Sequence, residues 1–150
     1  MAMDSTTYRS GETLFKEGSE ATSLFLIKVG RISIRKPIDT GFIEIAQIGP
    51  NQIVGEVGFF DRQRRSAEAV ALTYCEVVEI PYAALAPIFD PAPDYLKKIM
   101  IGLASRLRDA DEVIRELKQR LGEGEVSLRE VVDEPEDDES ETARILKQTE

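Results

Sequence analysis

The chain has no histidine and a single cysteine, Cys75, in 150 residues. Lacking histidine, it has no Ser-His-Asp or Cys-His nucleophile, no imidazole metal ligand and not the commonest acid–base group. An enzyme built on it would have to work with carboxylates, Lys, Arg and Tyr alone. One cysteine makes neither an intrachain disulfide nor a zinc cage. Its place among apolar strand residues reads as a core position. No apolar run approaches the roughly 20 residues that span a membrane. The opening Met1–Thr7 also lacks the basic-then-apolar pattern of a signal peptide. The expectation is a cytoplasmic protein with no membrane contact. At this length one domain with a core is expected, and two are not.

Basic residues are scarce at one end. Residues 122–150 carry eleven Asp/Glu against three Lys/Arg, whereas residues 1–121 carry seventeen against sixteen. The net charge of −9 therefore belongs almost wholly to the C-terminal segment. Such a chain is repelled by phosphate backbones, so no nucleic-acid partner is expected.

Short strands separated by turn signals fill the first 80 residues. Thr13–Lys16, Thr22–Lys28, Arg31–Lys36, Phe42–Gln47, Ser66–Thr73 and Cys75–Ile80 are rich in branched and aromatic residues. Arg31-Ile32-Ser33-Ile34-Arg35 alternates as a half-buried strand does. Gly11, Gly18, Gly30, Gly41 and Gly49-Pro50 punctuate the intervals. This spacing predicts an antiparallel barrel or double-sheet roll, which limits exposed sheet edges.

The period changes at Pro81. Tyr82–Phe89 reads as a short helix, and Pro91-Ala92-Pro93-Asp94 breaks the chain and starts another. In that second helix Leu96, Met100, Leu103, Leu107, Ala110, Ile114, Leu117 and Leu121 hold a 4-3 spacing, a heptad seam. Its first half, with Ile99 and Ile101 beside the seam, is expected to pack on the roll. Beyond Ser105 the flanks are charged, and so narrow a seam suits a homodimer through this helix. Gly122-Glu123-Gly124 is expected to end it, with Ser127–Val132 as one further turn or strand. Asp133–Glu141 then places seven acidic side chains in nine residues around a proline. That composition cannot bury a core. It reads as a solvated tail or as a docking segment for a basic partner, with Ala143–Gln148 as a short helical contact. The chain thus divides into a roll with its short helices at 8–90, a dimerisation helix at 91–121 and an acidic tail at 122–150.

The segment that carries chemistry is Gly55-Glu56-Val57-Gly58-Phe59-Phe60-Asp61-Arg62-Gln63-Arg64-Arg65-Ser66-Ala67. Glycines open it, a carboxylate follows, and an arginine run closes it at the start of a strand. A short helix beginning near Glu56 would direct unpaired N–H groups at an anion. Gly58 would let that anion approach the backbone, and Arg65 would add a planar fork of donors. A carboxylate beside an anion site is useful if it accepts from a hydroxyl, such as that of a ribose.

This segment resembles the phosphate-binding cassette of cyclic-nucleotide-binding domains: Gly-Glu, a short apolar helix, then Arg-Ser/Thr/Ala-Ala. Glu56 and Arg65 stand nine apart, as in the regulatory type of protein kinase A. The likeness extends to Gly11-Glu12-x-Leu14-Phe15-x-x-Gly18, Leu24–Lys28, Gly30-Arg31-Ile32 and Ile48-Gly49-Pro50, and covers roughly residues 8–121. It implies a mainly β fold, an antiparallel β-roll (double-stranded β-helix or jelly roll) with a short cassette helix and a long C-terminal helix. It also implies a non-enzymatic sensor of cAMP or cGMP, with no metal and no cofactor, that signals to a protein partner.

By the same resemblance, Gly55, Glu56, Val57, Gly58, Arg64, Arg65, Ser66 and Ala67 form the ligand-binding set. Glu56 takes the ribose 2′-hydroxyl and Arg65 the cyclic phosphate. The N–H of Gly58 and the hydroxyl and N–H of Ser66 complete the phosphate cradle. Val54, Val57, Ala67 and Val70 offer apolar contacts. The chain departs from the family at Arg64, where kinase-type cassettes often have Pro, and at Glu68, where Ser or Thr is frequent. Ala110 and Asp111 stand where catabolite-activator-like regulators use Thr-Ser to contact the base across a dimer. Asp111 could accept from an exocyclic amine of either purine. Ser66, rather than Thr, favours cAMP over cGMP. The alternative is a degenerate fold whose Arg65 pairs with Glu56 and which serves as a dimeric adaptor without nucleotide.

Overall fold

The computed structural model describes residues 4–132, with side chains to residue 122. Eight strands form two four-stranded antiparallel sheets. One has β1 (Ser5–Tyr8), β8 (Cys75–Pro81), β3 (Ser23–Val29) and β6 (Ile53–Val54) side by side in that order. The other has β2 (Thr13–Phe15), β7 (Glu68–Ala71), β4 (Ile32–Ile38) and β5 (Gly41–Ile48). The two make the expected roll. Between them lies one core of Phe25, Ile27, Ile32, Val54, Ala69, Ala71, Cys75 and Val77. Cys75 is fully buried and its one S–H is shared between the carbonyls of Arg31 and Thr73, both 3.3 Å from Sγ, in keeping with a core role.

Six of the strands follow from sequence pattern; β1 and β6 do not. β1 is Ser-Thr-Thr-Tyr, with no apolar alternation, and exists because β8 offers it a ladder from Ser5↔Val78 to Tyr8↔Cys75. β6 is two residues long, held against β3 by Phe25↔Val54 and Leu26↔Ile53. The alternation in β4 also resolves differently from a half-buried strand. Ile32 is buried in the core, yet Ser33 is buried as well. Its hydroxyl donates to Glu44 at 2.6 Å and accepts from Arg35 Nε at 3.0 Å, so polar side chains roof the outer face. Gly30 turns β3 into β4 at φ +94°, and a Cβ there would sit 2.2 Å from the Tyr74 carbonyl oxygen. Only glycine fits.

Three helices complete the fold: α1 (Val57–Asp61), α2 (Tyr82–Phe89) and α3 (Asp94–Val132). α2 begins after extended Pro81, with the N–H of Tyr82 bonded to Thr22 O at 2.9 Å. α1 rests on α2 through rings: Phe59 meets Tyr82 and Phe89 at 5.3 Å, and Phe60 meets Phe89 at 5.4 Å between centroids. α3 does not stop at Gly122 but runs through Gly124 to Val132, so Ser127–Val132 continues it rather than forming a separate turn or strand. Gly in a helix interior costs only about 1 kcal/mol relative to Ala, which its neighbours in a long helix offset.

The first half of α3 does not lay its stripe on the roll. Ala104 is its one buried residue among the described side chains, while Ile99, Ile101, Leu103 and Leu107 are 41–56% exposed. The chain divides into a compact unit of Met1–Arg115 and a second beginning at Glu116, a division that falls inside α3. No described helix is long and apolar enough to cross a membrane. The acidic run at 133–141 and the Ala143–Gln148 segment lie outside the described residues.

Candidate functional site

The site is built where β6 hands the chain to α1. Gly55 turns at φ +86°, and a Cβ on it would lie 2.7 Å from Arg65 Nη1 and 3.3 Å from the Phe15 ring. The glycine is therefore required twice, by its dihedral and by the guanidinium packed against it. Glu56 caps α1 without a side-chain capping bond. Gly58 lies on α1, where a Cβ would come within 2.6 Å of the Ala21 Cβ. Close packing of α1 on the 18–22 loop thus accounts for that glycine without any ligand. α1 ends at Arg62, which adopts the left-handed conformation at φ 55° and bonds Gly58 O through its N–H.

Arg65 is a buried cation, 7% exposed. Nη1 donates to Gly55 O at 2.8 Å and to the Tyr82 hydroxyl at 3.3 Å, and Nη2 donates to Ser23 O at 2.6 Å. The guanidinium stacks over the Phe15 ring at 4.1 Å, a favourable cation–π placement. Nε is buried with no partner among the described residues. Burial lowers the pKa of Arg65 below the usual guanidinium value, and the neighbouring Tyr82 and Glu56 oppose that shift. An unsatisfied buried donor costs about 1–3 kcal/mol, so Nε is the one expensive donor of an otherwise engaged guanidinium. Tyr82 links this point to α2: its hydroxyl donates to Gly55 O at 2.5 Å.

Beside Arg65 lies a cavity of about 130 Å³. Its walls are apolar on the sheet side (Phe15, Ile34, Ile45, Ile48) and polar along the 55–58 and 65–67 segments. Gly55, Glu56, Val57, Gly58, Arg65, Ser66 and Ala67 all line it, as does Val54. From α3 come Leu107, Arg108 and Asp111. Two carboxylates thus share the space. Burial raises the pKa of Glu56 above its ordinary value, and Asp111 adds to the rise while Arg65 opposes it. Burial raises Asp111 likewise, against the pull of Lys36 and Arg108. Among the described residues Glu56 and Arg65 form no ion pair, so the closed Glu56–Arg65 pair of a degenerate pocket is not what the geometry holds.

Some expected residues stand elsewhere. Arg64 is exposed, donates to Gly18 O at 3.2 Å and lines hollows outside this cavity. Ala110 is exposed on α3 and does not line the cavity. Val70 is buried in β7 away from it. Glu68 is paired in register with Arg35 and is not among the lining residues, so it does not oppose an anion there. Conversely, the fold brings Phe15, Tyr82 and Arg108 to the site without their having been expected from the sequence. Phe15 sits in the Gly-Glu-x-Leu-Phe motif, a signal available in sequence. Tyr82 and Arg108 reach the site only through the fold.

Known proteins resemble the chain over its strands and first helices. The sequence profile of the cyclic nucleotide-binding domain matches residues 5–91, more than half of the chain. The cAMP-activated global transcriptional regulator CRP of Escherichia coli is 30% identical over 112 residues, 73% of this chain and 53% of that protein. The cAMP-dependent protein kinase type II regulatory subunit of Drosophila melanogaster is 27% identical over 107 residues, 71% of this chain and 28% of that one. The EAL enzyme Bd1971 in its cAMP- and cyclic-di-GMP-bound form matches with TM-score 0.70 at 24% identity, over 89% of this chain and 35% of that one. Its cGMP-bound form matches with TM-score 0.67 at 26% identity, over 70% and 28%. The chain spans about half the length of the transcriptional regulators it matches. The matched profile runs from β1 past the end of α2 and so encloses the whole Gly55–Ala67 turn: the chain belongs to the cyclic nucleotide-binding domain family.

Proposed function

We propose that the chain is a non-enzymatic sensor of a 3′,5′-cyclic nucleotide, cAMP in preference to cGMP, that signals through its helices to a protein partner. The observation that carries this reading is the buried Arg65, with its unpartnered Nε, in a cavity it shares with Glu56 and Ser66. The single negative charge of a cyclic phosphate matches Arg65 and the Ser66 hydroxyl and N–H. Glu56 accepts from the ribose 2′-hydroxyl, and the apolar wall of Ile34, Ile45 and Ile48 receives sugar and base. Asp111 is placed to accept from a purine amine. Relatives named for cAMP activation support that ligand, as does Ser66. The solved neighbour with both cAMP- and cGMP-bound forms supports a fold that accepts either.

Ligand pockets for molecules of this size run from about 300 Å³ upward, so the present cavity of about 130 Å³ must widen on binding. The elements around it that would shift together are α1, tied to α2 by rings and to α3 through Arg108, and α3 itself. Their displacement is the proposed signal, and its size is limited by the nucleotide's difference in affinity between the two arrangements.

A second reading, an adaptor that binds no nucleotide, is favoured by one fact: two backbone carbonyls and Tyr82 already engage Arg65. Titration calorimetry with cAMP and cGMP decides between them. We expect saturable binding of cAMP, and at least a tenfold weakening in Arg65→Ala, since a charge-assisted hydrogen bond contributes about 1.5–3 kcal/mol. Heatless titrations with both nucleotides, or an Arg65→Ala protein as tight as the wild type, would leave the adaptor reading.

A further inference from the structure

We propose that Asp61 and Arg108 are a positioning pair, which sets the distance between the phosphate end of the pocket, at Arg65 and Ser66, and its base end, at Asp111. This rests on the nucleotide reading above and assigns a role to two residues to which that reading gives none, although Arg108 lines the cavity.

Asp61 is the last residue of α1, and its side chain is 6% exposed. It takes two donors from Arg108, Nε at 2.5 Å and Nη2 at 3.0 Å, and also accepts the Gln63 N–H at 3.0 Å. The third Arg108 donor, Nη1, reaches Arg64 O at 3.0 Å. One guanidinium therefore clamps both ends of the 61–64 turn, and the next two residues are Arg65 and Ser66. Exposed ion pairs contribute little. This one is enclosed, with 19% and 6% of its side chains exposed, and bidentate, the geometry in which such pairs fix orientation.

On the other side of the pair stands α3. Asp111 follows Arg108 by three residues, on the same helix face, and lines the cavity. Among the described residues of α3 only Ala104 is buried; Leu103 and Leu107 are 56% and 44% exposed, and Lys36 meets Glu112 at 2.9 Å. With so little apolar packing, the Arg108 clamp determines where Asp111 stands relative to Arg65.

A double-mutant cycle on the full chain tests this, with cAMP and cGMP as probes and dissociation constants from calorimetry. Wild type is titrated first. Arg108→Gln and Asp111→Asn are each expected to weaken the better-bound nucleotide about tenfold, and the double variant by about tenfold as well, since neighbours that act through one contact are not additive. A hundredfold loss in the double variant overturns the proposal, as does wild-type affinity in either single variant. Arg108→Lys keeps the charge near Asp111 but cannot hold Asp61 and Arg64 together, so it should lose as much as Arg108→Gln. Full affinity in the lysine variant shows that charge and not position matters, and overturns the proposal too. If thermal melting shows that Arg108→Gln does not fold, the cycle is run with Arg108→Lys. A wild type that binds neither nucleotide brings down the nucleotide reading and this inference together; additive losses on a binding wild type bring down this inference alone.

Discussion

Glu56 and Asp111 are costly residues for an empty protein. Both carboxylates are partly buried, form no ion pair among the described residues and have raised pKa values, and burial is the first cause of each. The sign follows from proton counting. Between the ordinary values, 4.5 for Glu56 and 3.8 for Asp111, and the raised folded values, the native state holds more protons than the unfolded chain. Stability supplied by these groups is thus fully present below the ordinary values and is lost as pH rises through the folded ones. At neutral pH, Glu56→Gln and Asp111→Asn should therefore melt higher than wild type without ligand while binding nucleotide more weakly. Melting curves at pH 7 and pH 4.5 check it, since the advantage of the amides should shrink at the lower pH. A lower melting temperature in both variants at pH 7 would mean that the carboxylates serve the fold and not a ligand. At this scale the sequence was informative because the Gly-Glu…Arg-Ser order is local. Phe15, Ser23 and Tyr82, which surround Arg65, come from β2, β3 and α2, and no local pattern ties them to a guanidinium 17 to 50 positions away in the chain.

At the scale of elements, α2 was legible from end to end because Pro81 marks its start and Asp90-Pro91 its stop. β1 was not, because its ladder with β8 is imposed by the partner strand rather than by its own side chains. α3 was legible as a helix, but its packing was not. The heptad pattern is the same whether the stripe meets a roll or another helix, and the fold leaves the stripe half-exposed. What holds α3 near the pocket is polar, and this yields an asymmetry that can be measured. Lys36 is buried, and its amine meets Glu112, which Arg115 and Lys36 together pull down to a pKa of about 2. Stability from Glu112 is present above its ordinary value of 4.5 and is lost as pH falls through about 2. Glu112 is 43% exposed, so the pair itself is worth little. Losing the carboxylate, however, strands a buried ammonium, whereas losing the ammonium strands a group that water reaches. Glu112→Gln should accordingly cost more stability than Lys36→Met in urea unfolding at pH 7. Equal costs would mean that the α3 attachment does not depend on this amine.

For the whole molecule, the open question is what meets the exposed seam of α3. Leu96, Leu103, Leu107, Leu117 and Leu121 are each 43–59% exposed in the single chain. A 4-3 repeat of that kind is the pattern by which helices pair, with charged flanks on either side of a narrow apolar line. The proposed occupant is a second copy through the same helix. Leu103→Glu and Leu117→Glu lie two heptads apart on the seam and avoid Leu107, which lines the pocket. Sedimentation equilibrium should give twice the chain mass for wild type and the single-chain mass for the double variant. Nucleotide affinity separates this assembly role from a site shared between copies. Glu56, Arg65, Ser66 and Asp111 all line one cavity within one chain, whereas Ala110, expected beside Asp111 at the base contact across a pair, stands on the exposed face. The monomeric variant is thus expected to bind nucleotide within about threefold of wild type, less than the tenfold that a lost charged contact produces. A tenfold or greater loss on dissociation would mean that the second copy completes the pocket, and that Ala110 or its neighbours belong to the site from across the seam.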